Sequence, residues 1–172
     1  MKDLVTTCRK SAMPTTTLTL NDPALLRQQC YINGQWRDAE SGKTTDVGNP
    51  ATGEVIGNVP TMGTQETAQA ITAANEAWPA WRKKSAAERA AYLRRWNDLM
   101  LEHADDLALL MTAEQGKPLS ESKGEVQYAA SFIEWFAEEG KRVSGETLAS
   151  PWPDRRIVVT KEPIGVCAAI TP

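Results

Sequence analysis

A chain of 172 residues with a formal net charge of −3 has the length of one ordinary domain and no excess of basic charge for a nucleic-acid surface. At 41% hydrophobic and 24% charged it has the composition of a soluble globular protein, with no apolar run near the roughly 20 residues of a membrane span. Cys8, Cys30 and Cys167 lack paired spacing and fit a reducing, cytoplasmic compartment, while His103, the one histidine, excludes a site built from several imidazoles.

Residues 1–24 read as a disordered N-terminal extension, with Thr15, Thr16, Thr17 and Thr19 among scattered charges and little periodicity. A secretory signal would need a continuous apolar stretch, which is absent. Lys2, Arg9, Lys10 and Ser11 suggest a transit peptide, but Asp3 and the missing amphipathic stripe argue against one. Met13 is an alternative start.

A β region follows. Tyr31-Ile32-Asn33-Gly34-Gln35-Trp36 places Asn-Gly between apolar pairs, a strong hairpin signal because a type I′ turn needs positive φ at both central residues. A turn is predicted at 49–53, and Val55, Ile56 and Val59 predict a strand that Pro60 closes.

Residues 64–140 read as four helices. Thr64 is the expected cap of the first, with Glu66 near its positive end. Ala68, Ile71, Ala74, Trp78 and Trp81 share one face, and Pro79 is expected to end or kink it. Ser85-Ala86-Ala87-Glu88 is a capping box opening a second helix, whose expected buried face is Tyr92, Trp96, Leu99 and Met100, with Leu93 on its flank. Asp105 and Asp106 start a third helix carrying Leu107, Leu110 and Met111, which Gly116 and Pro118 stop. A fourth begins near Ser120 and carries Val126, Ala130, Ile133 and Ala137 until Gly140.

The last residues return to β. Arg156-Ile157-Val158-Val159-Thr160 predicts a strand, and the apolar run Ile164 to Ile170 predicts one covered on both faces in a parallel sheet. Such a strand needs a crossover and parallel neighbours. From pattern alone the chain reads as the opening part of a larger α/β protein.

No complete catalytic constellation emerges from the residues themselves. Cys167, inside an apolar strand pattern, reads as an inert small hydrophobe rather than a nucleophile. His103 reads as a polar junction residue. Gly116-Lys117 lacks the other residues of a phosphate loop. Asp105-Asp106 and Glu138-Glu139 are adjacent on helices, so their side chains diverge and share no proton. The six tryptophans read as core and interface mass.

Four segments in order resemble the N-terminal part of the aldehyde dehydrogenase superfamily. They are Tyr31 to Trp36, Asn49 to Ile56, Glu114-Gln115-Gly116-Lys117-Pro118-Leu119, and Glu162 to Val166 running into Ile170-Thr171-Pro172. The similarity spans residues 25–172, and Ala130 to Val143 resembles the succinate-semialdehyde dehydrogenase branch, with glutarate-semialdehyde dehydrogenases similar here. The resemblance implies an α/β fold: an incomplete N-terminal portion of the NAD(P)-binding domain, with hairpins, four helices, an oligomerisation-arm strand near 156–162 and a first sheet strand.

It also implies oxidation of a semialdehyde to a dicarboxylate with NAD or NADP, in a homo-oligomer with no nucleic-acid or membrane partner. In the family a cysteine thiolate attacks the aldehyde, hydride leaves for the nicotinamide, and a glutamate-activated water cleaves the thioester. Ile170, Thr171 and Pro172 match positions whose backbone lines the cofactor pocket. Glu114 matches a position that supports a monovalent cation in some members. The nucleophile, the base and the asparagine of the Pro-Trp-Asn motif match nothing in these residues, and Cys167 does not correspond to the catalytic cysteine. The expectation is therefore a truncated dehydrogenase without turnover of its own, and doubtful cofactor binding. The alternatives are a non-catalytic helical interaction module and part of another aldehyde dehydrogenase.

Overall fold

The computed structural model describes residues 18–171. Most of the expected extension, and Pro172, lie outside them. The residues of that extension nearest the domain are packed: Leu20 is buried, and Asp22 caps a short 3-10 helix at Pro23–Leu25 by accepting from the Ala24 amide at 2.9 Å.

Strands β1 (Cys30–Ile32) and β2 (Gln35–Arg37) pair antiparallel through the expected Asn33-Gly34 turn, with φ of 51° and 77°. A second hairpin joins β3 (Thr44–Gly48) to β4 (Val55–Pro60). Strand β3 was not legible in the sequence, because Thr-Thr-Asp-Val-Gly has no apolar alternation and is almost wholly exposed. Its turn is held by Asn49, whose Oδ1 accepts from the Ala51 amide at 2.9 Å.

Helix α1 (Thr64–Arg82) starts one residue earlier than expected, because its cap is Gly63 and not Thr64. Glu66 supplies the cap instead, accepting from the Gly63 amide at 2.7 Å. The helix runs through Pro79 to Arg82. Pro79 and Asn75 both lie on its exposed surface, where water can serve the carbonyl that proline leaves unpaired.

Helices α2 (Ala86–Glu102), α3 (Ala104–Gln115) and α4 (Leu119–Glu139) form the bundle, with α4 packed on both others. Its seam is made of small residues: Ala90, Ala108, Ala113, Ser122, Val126, Ala130 and Ala137 are all buried. The α4 face over Val126, Ala130, Ile133 and Ala137 is the expected one, with Ile133 half-buried. On α2 the expected face holds only in part. Leu99 and Met100 are half-buried as expected, but Tyr92 and Trp96 are 56% and 55% exposed, while Ala90, Leu93 and Asn97 turn inward. A close approach to α4 favours small side chains at the contact. Asn97 seals it by donating to the Ala130 carbonyl at 2.8 Å.

The tryptophans do not form a core. Trp36, Trp81, Trp96, Trp135 and Trp152 are exposed and Trp78 is half-buried. A third hairpin pairs β5 (Glu146–Leu148) with β6 (Ile157–Val159), so the strand expected at 156–160 has a partner within the chain. The run from Ile164 to Ile170 forms no strand. Among the described residues no strand pairs with it to complete its hydrogen bonds.

Candidate functional site

The carboxy-terminal segment follows β6 and is tied to α1 by one ion pair, Arg82 to Glu162 at 2.6 Å. Beyond that tie, Ile164 is 92% and Ile170 100% exposed, and Thr171 is exposed as well. Thus two of the three residues matched to the cofactor pocket stand on open, irregular backbone, and Pro172 lies outside the described residues. As they stand, Ile170 and Thr171 enclose no dinucleotide: neither lines a main cavity of the described residues, and no glycine-rich phosphate turn stands beside them.

Cys167 is exposed rather than packed inside a strand. Its thiol faces only the Gly165 carbonyl, at 3.7 Å, and no imidazole or carboxylate shares a hydrogen bond with it among the described residues. An activated nucleophile needs such a base or a strongly electropositive setting.

The remaining candidates resolve into structural roles. His103 is half-buried at the α2–α3 junction, its amide donating to Leu99 and its carbonyl accepting from Leu107. Gly116 ends α3 with φ of 84°, and a Cβ there would stand 2.9 Å from Pro50 Cγ. Two of the family-like segments, the turn at Asn49 and the Gln115-Gly116-Lys117 stop, therefore meet at one joint. Lys117 pairs with the Glu125 carboxylate. Asp105 pairs with Lys123 at 2.7 Å, Glu138 with Arg94 and Lys141, and Glu139 with Arg142 at 3.1 Å. Asp105, Glu138 and Glu139 thus each have a cation, whereas Asp106 is taken up by the Asn21 and Asp22 amides, as diverging side chains allow. Glu114 is exposed, and no group of three or more metal-capable side chains gathers among the described residues.

Three carboxylates are shifted below their ordinary values, chiefly by hydrogen bonds to their charged forms. Glu66 is held down by the Gly63 and Glu40 amides, Asp106 by the Asn21 and Asp22 amides, and Glu88 by the Ser85 hydroxyl and amide. These groups fasten chain segments. Sequence reasoning identified the Ser85–Glu88 box but not the long-range partners of Glu66 and Asp106, which carry no local signal.

No helix among the described residues is long and apolar enough to cross a membrane. Residues 36–172 match the aldehyde dehydrogenase family. The chain is 65% identical over 153 residues to a glutarate-semialdehyde dehydrogenase of Pseudomonas putida, covering 89% of this chain and 32% of that protein. It is 62% identical over 153 residues to an NADP-dependent succinate-semialdehyde dehydrogenase of Escherichia coli, with the same coverage. Its fold matches the crystal structure of a succinate-semialdehyde dehydrogenase from Burkholderia pseudomallei with a TM-score of 0.85 and 63% identity, over 87% of this chain and 31% of that one. The chain thus spans about a third of the length of these relatives, at their N-terminal end. Some solved relatives, among them betaine aldehyde dehydrogenase of Staphylococcus aureus, hold NAD+. With its hairpins, its four helices and the α/β architecture of those structures, the chain belongs to the aldehyde dehydrogenase family.

Proposed function

We propose that this chain is the N-terminal portion of the NAD(P)-binding domain of a semialdehyde dehydrogenase acting on succinate or glutarate semialdehyde in the cytoplasm. The carrying observation is the joint match in fold and sequence to succinate-semialdehyde dehydrogenase, a TM-score of 0.85 at 63% identity. In this reading the domain begins near residue 25, and Ile170, Thr171 and Pro172 line the cofactor pocket once neighbouring strands cover them. The bound NAD or NADP would accept hydride. The arm strand near 156–162, which the structure pairs with β5 as β6, would join subunits into a homo-oligomer.

Taken alone, the 172-residue chain is expected not to turn over, because among the described residues Cys167 has no hydrogen-bonded base and neither Ile170 nor Thr171 lines a main cavity. The test is a chimera in which residues 20–172 replace the matching segment of the Escherichia coli relative, assayed with both semialdehydes and both cofactors. The chimera should oxidise at least one semialdehyde, and the isolated chain should reduce neither NAD nor NADP. A folded but inactive chimera would overturn the reading. So would turnover by the isolated chain that Cys167→Ser abolishes.

A further inference from the structure

We infer that residues 18–28 are a latched strap, with Asp106 as the catch that fastens the β3–β4 hairpin to the helix bundle. Asp106 is 4% exposed, on the first turn of α3. Its Oδ1 accepts from the Asn21 amide at 2.9 Å and from Asn21 Nδ2 at 3.0 Å, and its Oδ2 accepts from the Asp22 amide at 2.8 Å. One carboxylate thus receives three N–H groups from a segment more than eighty positions away in sequence. Charge-assisted bonds of this kind are roughly twice as strong as neutral ones.

The strap reaches the hairpin at both of its ends. Leu18 borders a cavity of about 240 Å³ between the Asn49–Glu54 turn and α3, alongside Leu109, Thr112 and Gly116. Gln28 Oε1 accepts from the Asn58 amide of β4 at 2.9 Å. Between these points Leu20 is buried, and Asp22 turns the chain by capping the 3-10 helix. The hairpin itself touches α3 through Pro50 at Gly116. The strap therefore adds a second fastening at the opposite end of α3, and the catch gathers three of its bonds on a single side chain. Undoing it frees Leu20 and leaves the hairpin held at one end. The helices keep their own backbone bonds, so the opening is local.

Amide hydrogen exchange on the full chain tests this. In the unaltered protein the Asn21 and Asp22 amides should exchange at least about tenfold more slowly than unprotected amides, as their bonds to a buried charge require. Exchange at the unprotected rate would overturn the proposal with no variant needed. In Asp106→Asn, which turns one acceptor oxygen into a donor facing donors, both amides and that of Asn58 should speed up by about tenfold while the α3 amide of Leu110 does not change. Equal rates in variant and parent would refute the catch. Acceleration spread uniformly through α3 would refute the local latch. Thermal melting supplies a further check: Asp106→Asn should lower Tm in the full chain and leave it unchanged or raise it in a chain lacking residues 1–22. Equal lowering in both backgrounds would show that Asp106 serves the bundle and not the strap.

Discussion

The α2–α4 bundle and the segment from 157 to 171 have comparable apolar content but opposite fates. In the bundle Ala108, Ala130 and Ala137 are essentially inaccessible, and the seam's polar groups bond one another, Thr112 to Ser122 at 2.8 Å among them. In the segment, Val158 is 67% exposed and Ile170 is fully so. A helix closes its backbone hydrogen bonds within itself and needs neighbours only for its apolar face. A strand must borrow every backbone partner, and a central parallel strand must borrow them from both sides. Apolarity alone therefore buries nothing until a partner is present.

Acid should erode the contrast most broadly, because it acts on Asp106, Glu66 and Glu88 together. All three carboxyls sit lower in the folded chain than their ordinary values, so the unfolded chain binds protons first as pH falls. Their stabilisation is complete above the ordinary carboxylate range and is lost as pH drops through and below it. Melts from neutral pH to pH 3 should show Tm falling mainly at the acid end. A flat profile would mean that these tethers do not matter.

A direct break of the bundle is Ala137→Leu. The site is fully inaccessible, so the added carbons must displace α2 or α4, at about 1–3 kcal/mol. Chemical denaturation should register this as an earlier midpoint. Ser85→Ala removes the hydroxyl that accepts from the Glu88 amide, a capping loss of about 1 kcal/mol readable by the same titration. At the other pole, Ile164→Lys and Val158→Lys should change stability by no more than about 0.5 kcal/mol, since neither side chain is buried. Both should reduce light scattering, because charge on an exposed apolar stretch, at the open side of β6 or in the unpaired run beyond it, discourages strand-to-strand association. A large stability loss from either would show that the segment is packed in solution.

Local chemistry alone determined much of this molecule. The Asn33-Gly34 turn, the Ser85–Glu88 box, the Gly116 stop and the inward stripe of α4 each depend on backbone preference or on residues within about one helical turn. The family relationship was equally legible, being carried by segments in order from Tyr31 to Pro172. Tertiary structure decided what distance conceals. It turned Leu93 and Asn97 inward in place of Tyr92 and Trp96, because the contact with α4 admits only a close approach. It let α1 continue through Pro79 on an exposed face, and it left Ile164 to Ile170 unpaired for want of neighbouring strands. It also brought Asp106 to Asn21 and Glu66 to Glu40. Periodicity reports which residues are apolar and how they are spaced, whereas burial depends on the shape of the partner, which only the assembled chain supplies.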